Sequence, residues 1–362
     1  MATTTSSFVA EVLKETYGDL HDQINRDTPI LDLYEQSQSA RWDGKVFVEA
    51  LHHRRNQSAM GNSETGNLPN AGNQRYEELR IPLRRLYGGV QLSGQIMEQA
   101  KDQQSAFVNV LDAEVNGLVQ DLRRTKERII QGDGNATLCL VDGAGADDPT
   151  ISVDAPGGVA GDVFGNRFLF PGQEVAIYNT AGTVVNAVRT VLSVSADGLQ
   201  VTFTAAVSSA EAVDDGYITK GTTRGSVTQG SRDTEFMGIR GMFDDATYVS
   251  TFHGLDRTAA ANGFFKVASV TSVGSISEDL FHRMLNACHE RSGIIPGRYL
   301  THYSVHREYI KRTQGDRRYT GDRVMNPDAG ISGQSRTKSP VLAFNDVDFI
   351  LGRYLDFGTI YL

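Results

Sequence analysis

His302 and His306 are four residues apart, a spacing that could do chemistry. On a helix, positions i and i+4 share a face, where two imidazoles can hold a transition metal. A metalloprotease pattern would place a glutamate after the first histidine. Tyr303 stands there instead, and no third ligand is marked. Structural or surface histidines are therefore the expectation. Asp142, Asp147 and Asp148 lie among glycines and offer the oxygen ligands that calcium takes. Their spacing does not follow the twelve-residue calcium loop, and a solvated turn is the simpler expectation. The chain holds no phosphate loop, dinucleotide fingerprint or nucleophile elbow. Nothing assembles a nucleophile, a base and an orienting group, so the expectation is a protein that is not an enzyme, with no catalytic, cofactor-binding or metal residue assigned.

Basic residues do cluster. Arg54 adjoins Arg55, Arg84 adjoins Arg85, and Arg123, Arg124, Lys126 and Arg128 crowd one stretch. Lys311, Arg312, Arg317, Arg318 and Arg323 form another group. The net charge of −9 nonetheless argues against avid nucleic-acid binding by the chain as a whole. Solvated faces or ion pairs between subunits are the simpler reading of these clusters. Forty per cent apolar and 22% charged residues are ordinary globular usage, and the 37 glycines imply many turns. The length of 362 residues suffices for two or three domains with cores of their own. Cys139, in a loop-rich segment, and Cys288, in a helix, read as reduced, buried thiols of a cytosolic product. Met1 to Phe8 has no basic or apolar leader character, so no signal peptide is expected, and no apolar run approaches a membrane span.

The elements that position these residues begin with a hairpin. Lys45 to Leu51 forms its first arm and Glu78 to Arg84 its second, with Leu79, Ile81 and Leu83 on one face and charges mostly on the other. Pro82 cannot donate to a ladder, which places the second arm at a sheet edge or beyond the main sheet. Between the arms lie about 20 residues dense in Asn and Gly. A loop of that length is normally functional or disordered, and here an arm that orders on a neighbouring subunit is the sharper reading. A long helix follows from near Glu98, with Phe107, Leu111, Val115, Leu118, Leu122 and Ile129 close to the helical period. Roughly 34 residues would span about 50 Å, which suits a flat or extended tile.

Upstream, Phe8 to Ile24 carry a helical stripe that Pro29 interrupts, leaving an arm without a core of its own. Downstream, Glu174–Tyr178, Thr183 to Val194, Leu199 to Thr204 and a run near Tyr217 are cut by glycine turns, predicting a small antiparallel barrel. The last part is mixed α/β. Ser275 to Glu278 has the capping-box pattern at the head of a helix that Gly293 stops. A strand at Arg298–Thr301, a helix around Val305 to Arg312, a long polar loop from Arg317 to Lys338 and three closing strands complete the chain.

This order of elements resembles the major capsid proteins of tailed double-stranded DNA phages, with the Hong Kong 97 type of fold. The resemblance rests on the arm, the long two-stranded loop, Leu86 to Gly94, and a spine helix leaving through Arg123 to Gly134, a basic run ending in Gly-Asp-Gly. It implies an α+β chain divided into an N-terminal arm (1–40), extended loop (41–95), spine helix (96–135), inserted β-rich module (136–238), and axial domain with closing strands (239–362). It further implies hexamers and pentamers forming an icosahedral shell around double-stranded DNA held without sequence-specific binding, assembled in the host cytoplasm and located in the virion. A portal, a separate scaffolding protein and, in some shells of this kind, a cementing protein are the implied partners, with no membrane. About 40 residues before the hairpin are too few for a fused scaffold, so either a separate scaffold or a segment removed before Met1 is expected. Intersubunit contacts are expected at Arg54, Arg55, Leu68, Arg80, Arg84, Arg85, Arg317, Arg318 and Arg323. Some such shells cross-link through a loop lysine, but no lysine lies between Val46 and Ala100, so no such cross-link is expected. The rivals are an encapsulin-like compartment, a tail or baseplate subunit, and a carbohydrate-binding protein. The last would need an aromatic platform, yet the single tryptophan, Trp42, lies outside the β module.

Overall fold

The computed structural model describes residues 29–33, 42–43, 46–91, 94, 104–267, 274–312, 343–344 and 347–362, apart from 69, 144, 146, 160–161, 163, 184 and 225–226. The expected stripe from Phe8 to Ile24, the helix start near Glu98, and the loop carrying Arg317, Arg318 and Arg323 lie outside these residues. The protein is mixed α+β, with a small closed antiparallel barrel and few helices. It divides into two compact units, residues 1–35 with 85–130, and residues 36–84 with 131–362.

In the first unit the main element is helix α1, Gln104–Gln131, whose 28 residues correspond to about 42 Å of rise. Its apolar stripe is covered unevenly among the residues from 114 onward. Ile129 is buried and Leu118 and Leu122 are half-buried, while Val115 and Val119 stay exposed. Glu127, buried on this helix, accepts the Ile30 N–H at 3.2 Å and the Leu31 N–H at 2.7 Å. These bonds tie down the single 3-10 turn at Leu31–Leu33 and seat the fully buried Ile30. Gly88 lies against Leu118, where an added Cβ would come within 2.8 Å of Cδ1.

In the second unit, strands β1 (Trp42–Asp43), β2 (Val46–Arg54) and β3 (Arg75–Pro82) form one sheet in that order, with β3 at an edge as Pro82 requires. The barrel comprises β4 (Thr137–Asp142), β5 (Asp148–Asp154), β6 (Glu174–Tyr178), β7 (Val185–Val194), β8 (Gln200–Val207) and β9 (Tyr217–Arg224). Pairing of β6 back onto β9 closes these six strands, and β10 (Val227–Gly230) folds over β9 as a hairpin. Closure leaves no open edge between the six, and their inward side chains fill the interior. Val153, Val175, Ile177, Val201, Phe203 and Ile218 make its centre.

Cys139 is in this core too, which corrects the loop-rich expectation for that segment. Residues 137–141 of β4 are all buried, so no polar face marks the strand by alternation. The expected solvated turn also shrinks, because Asp142 ends β4 and Asp148 begins β5.

The C-terminal sheet runs β14 (Ala343–Phe344), β15 (Val347–Leu351), β13 (Arg298–Thr301), β16 (Ile360–Tyr361), with β13 parallel to β15. Before it come the short helix α2 (Ile239–Met242), the ribbon β11 (Thr251–Phe252) with β12 (Leu255–Asp256), and a 3-10 turn at Ala260–Phe265. Helix α3 (Glu278–Ser292) starts two residues later than the capping-box pattern implied. Ser277 is the cap, its Oγ accepting the Leu280 N–H at 3.2 Å. Gly293 ends the helix at φ 70°. Phe281 of α3 meets Tyr299, Tyr309 and Phe349 edge-on at 5.4, 5.5 and 5.6 Å, the favoured geometry for aromatic quadrupoles. Helix α4 is Tyr303–Arg312.

One buried ion cluster joins distant segments of this unit. Arg240 Nη1 donates to Asp356 Oδ1 at 2.9 Å and Oδ2 at 3.2 Å, while Nη2 donates to Asp133 Oδ2 at 2.9 Å. Burial alone would lower its pKa, but Asp356 and Asp133 outweigh that and hold Arg240 charged.

Candidate functional site

The hairpin β2–β3 pairs Val46 with Pro82 at its base and His52 with Tyr76 near its end. Alternation sorts its side chains. Phe47, Leu51, His53, Leu79 and Ile81 share a face that is buried or half-buried, while Val48, Ala50, His52, Tyr76, Glu78 and Arg80 project from an exposed one. Leu83, expected on the covered face, lies past the strand end and is exposed.

The arm is held from one side, nearer its base and again near its far end. Arg80 N–H donates to the His253 carbonyl at 3.1 Å, and the His53 ring stacks on Phe264 with centroids 4.2 Å apart. Beside Leu79 and Ile81 lies a cavity of about 850 Å³, lined also by Met237, Met242 and Phe252. His253 has φ 46°, a left-handed conformation that costs a non-glycine residue energy. Its pKa is lowered by burial and by the Arg257 and Arg84 charges.

The tip is organised differently. A bulge between His52 and Arg54 brings Arg54 directly opposite Arg75. Arg54, Arg55 and Arg75 then surround a small pocket of about 270 Å³, closed by Gln57, Gly72 and Asn73 with no carboxylate among its lining. Among the described residues no ion pair within the chain involves these three arginines. Asn56 laces the loop, its Nδ2 donating to the Gly72 carbonyl at 2.7 Å and its Oδ1 accepting the Ser58 N–H at 2.8 Å. Beyond it Met60 is exposed and Leu68 is 89% exposed.

No family model, curated protein or solved structure matches this chain. The site therefore stands on its geometry alone.

Of the expected contact residues, the fold gathers Arg54 and Arg55 and adds Arg75, which sequence reasoning missed. Arg75 is set against Arg54 by the bulge between His52 and Arg54, which arm length alone does not show. Arg80 is already engaged by Glu78 at 3.0 Å, and that hydrogen bond raises its pKa. Arg84 and Arg85 are exposed beyond the end of β3.

His302 and His306 line the same concavity. His302 precedes α4, and its Nδ1 accepts the Ser304 N–H at 3.1 Å, whereas His306 lies on the helix. Burial lowers the His302 pKa, the Arg167 and Arg307 charges lower it further, and Asp162 and Asp356 oppose them. Among the described residues no group of three or more His, Cys, Asp and Glu side chains converges as a metal would require. Among them also, no helix is long and apolar enough to cross a membrane.

Proposed function

We propose that this chain is the major shell subunit of a tailed double-stranded DNA phage, associating into hexamers and pentamers around the genome. The observation that carries the reading is the hairpin tip. Three arginines cluster there with no ion pair among the described residues, beside exposed apolar side chains beyond the strand ends. A two-stranded arm is marginal by itself and gains stability when it is laid on another surface. Its edge strand and the exposed Val115 and Val119 of α1 are further surfaces that association would cover.

On this reading the shell draws its stability from many modest contacts per subunit. The resemblance to the capsid family in the order of elements supplies the particular assembly, with scaffold and portal as partners and the virion as location.

The test is a tip variant in which residues 56–73 are replaced by a short glycine turn. Sedimentation of the wild-type chain should show large assemblies, and the variant should stay monomeric with an unchanged melting temperature. Equal assembly by both proteins would remove the tip from the mechanism.

A further inference from the structure

A cavity of about 910 Å³ lies elsewhere in the second unit, where the barrel segment 162–167, the start of α4 and residues 353–357 meet. Its size falls within the range of small-molecule sites. One wall is aromatic. The His302 ring lies 6.1 Å from that of Tyr303, edge to face, and 5.7 Å from that of Phe357, tilted, so three rings gather on this side. Phe164 and Tyr303, which also line it, are 56% and 48% exposed, although a solvent-facing ring gains nothing from water.

The other chemistry in the cavity is cationic. Arg167 has a side chain only 13% exposed, with Nη1 3.1 Å from Asp162 Oδ2. Its Nε and Nη2 are buried and donate to nothing among the described residues. Buried donors left unpaired are costly, and an incoming oxygen acceptor would remove that cost. Arg307 and Arg353 are exposed at the rim with no ion pair within the described residues. The Arg353 guanidinium lies 5.6 Å from the Tyr354 ring. Asp356, close by, is already committed to Arg240.

Ring faces and guanidiniums with open donors in one concavity are the two complements of a nucleotide. Bases stack on aromatic faces without regard to their identity, and guanidinium forks bind phosphate oxygens in pairs. We propose that this cavity binds a nucleoside phosphate, the base on the ring wall and the phosphate among Arg167, Arg307 and Arg353. The inference is independent of the shell reading. The same chemistry is offered by a free nucleotide and by a nucleotide within a single strand.

Fluorescence polarisation on the full chain tests it, with a dye-labelled adenosine triphosphate in one arm and a labelled hexathymidylate in the other. Saturable binding is expected below about 1 mM in at least one arm. The stronger arm identifies the source, free nucleotide or strand. Tyr303→Ala and Arg353→Ala should each weaken that binding about tenfold without moving the melting temperature, since both side chains are exposed. Pyrophosphate should compete poorly because it cannot stack. Absence of binding in both arms, indifference to both variants, or pyrophosphate competing as well as nucleotide would each overturn the proposal.

Discussion

Arg54 faces Arg75 across the mouth of the hairpin loop, two like charges in direct register. Such a pair destabilises the strand ladder that holds it, by an amount on the order of a few tenths of a kcal/mol. An arrangement that weakens the free subunit becomes favourable once an anionic surface meets it. Arg75→Glu should therefore raise the urea midpoint of the monomer slightly while suppressing assembly. Loss of both stability and assembly would mean that the arginines serve the fold.

Arg240 is expected to matter for stability alone. Replacing it with methionine leaves the buried carboxylates of Asp133 and Asp356 without their counter-ion. Removing one member of a buried ion cluster costs about 3–5 kcal/mol, so urea unfolding should show a loss of that order. A loss under about 1 kcal/mol would mean that water reaches the cluster.

The two thiols should react at very different rates. Burial pushes the pKa of Cys139 far up and that of Cys288 up as well, so both stay protonated near neutral pH. Cys288 retains some exposure, whereas Cys139 has none. A thiol reagent should label Cys288 slowly in the native protein and Cys139 only after unfolding. Rapid labelling of Cys139 would mean that the barrel opens readily.

Acid should destabilise the second unit before its carboxylates titrate. His253 and His302 both have folded pKa values below the ordinary one of about 6.5, burial being the first cause in each. The unfolded chain then binds more protons than the folded one, so stability rises with pH. It is fully present above the unfolded pKa and is lost as pH falls through the folded values. Melting temperature should drop between about pH 7 and pH 5, and a flat profile there would contradict the burial of these rings.

Local pattern made some elements readable and left others hidden. β6 and β15 follow from runs of apolar residues bounded by turns, and α3 from its stripe and its glycine stop. β4 could not be seen, because a strand buried on both faces has no alternation. The helix cap is Ser277 and not Ser275, although only Ser275 has a glutamate three residues on. Capping at Ser277 puts Ile276 at N′ and Phe281 at N4, the positions of a hydrophobic staple, and Ile276 packs on the Phe281 cluster. Arg240 meets partners 107 and 116 residues away, a pairing for which no nearby residue gives a sign. The hairpin arms were legible from alternation, but the arginine pair at the tip required the register.

Electron microscopy tests the central claim most directly, applied to the full chain expressed together with the genes flanking its own. A shell subunit gives closed polyhedral particles, or rings of five and six. A chain that stays monomeric under those conditions would contradict the shell assignment.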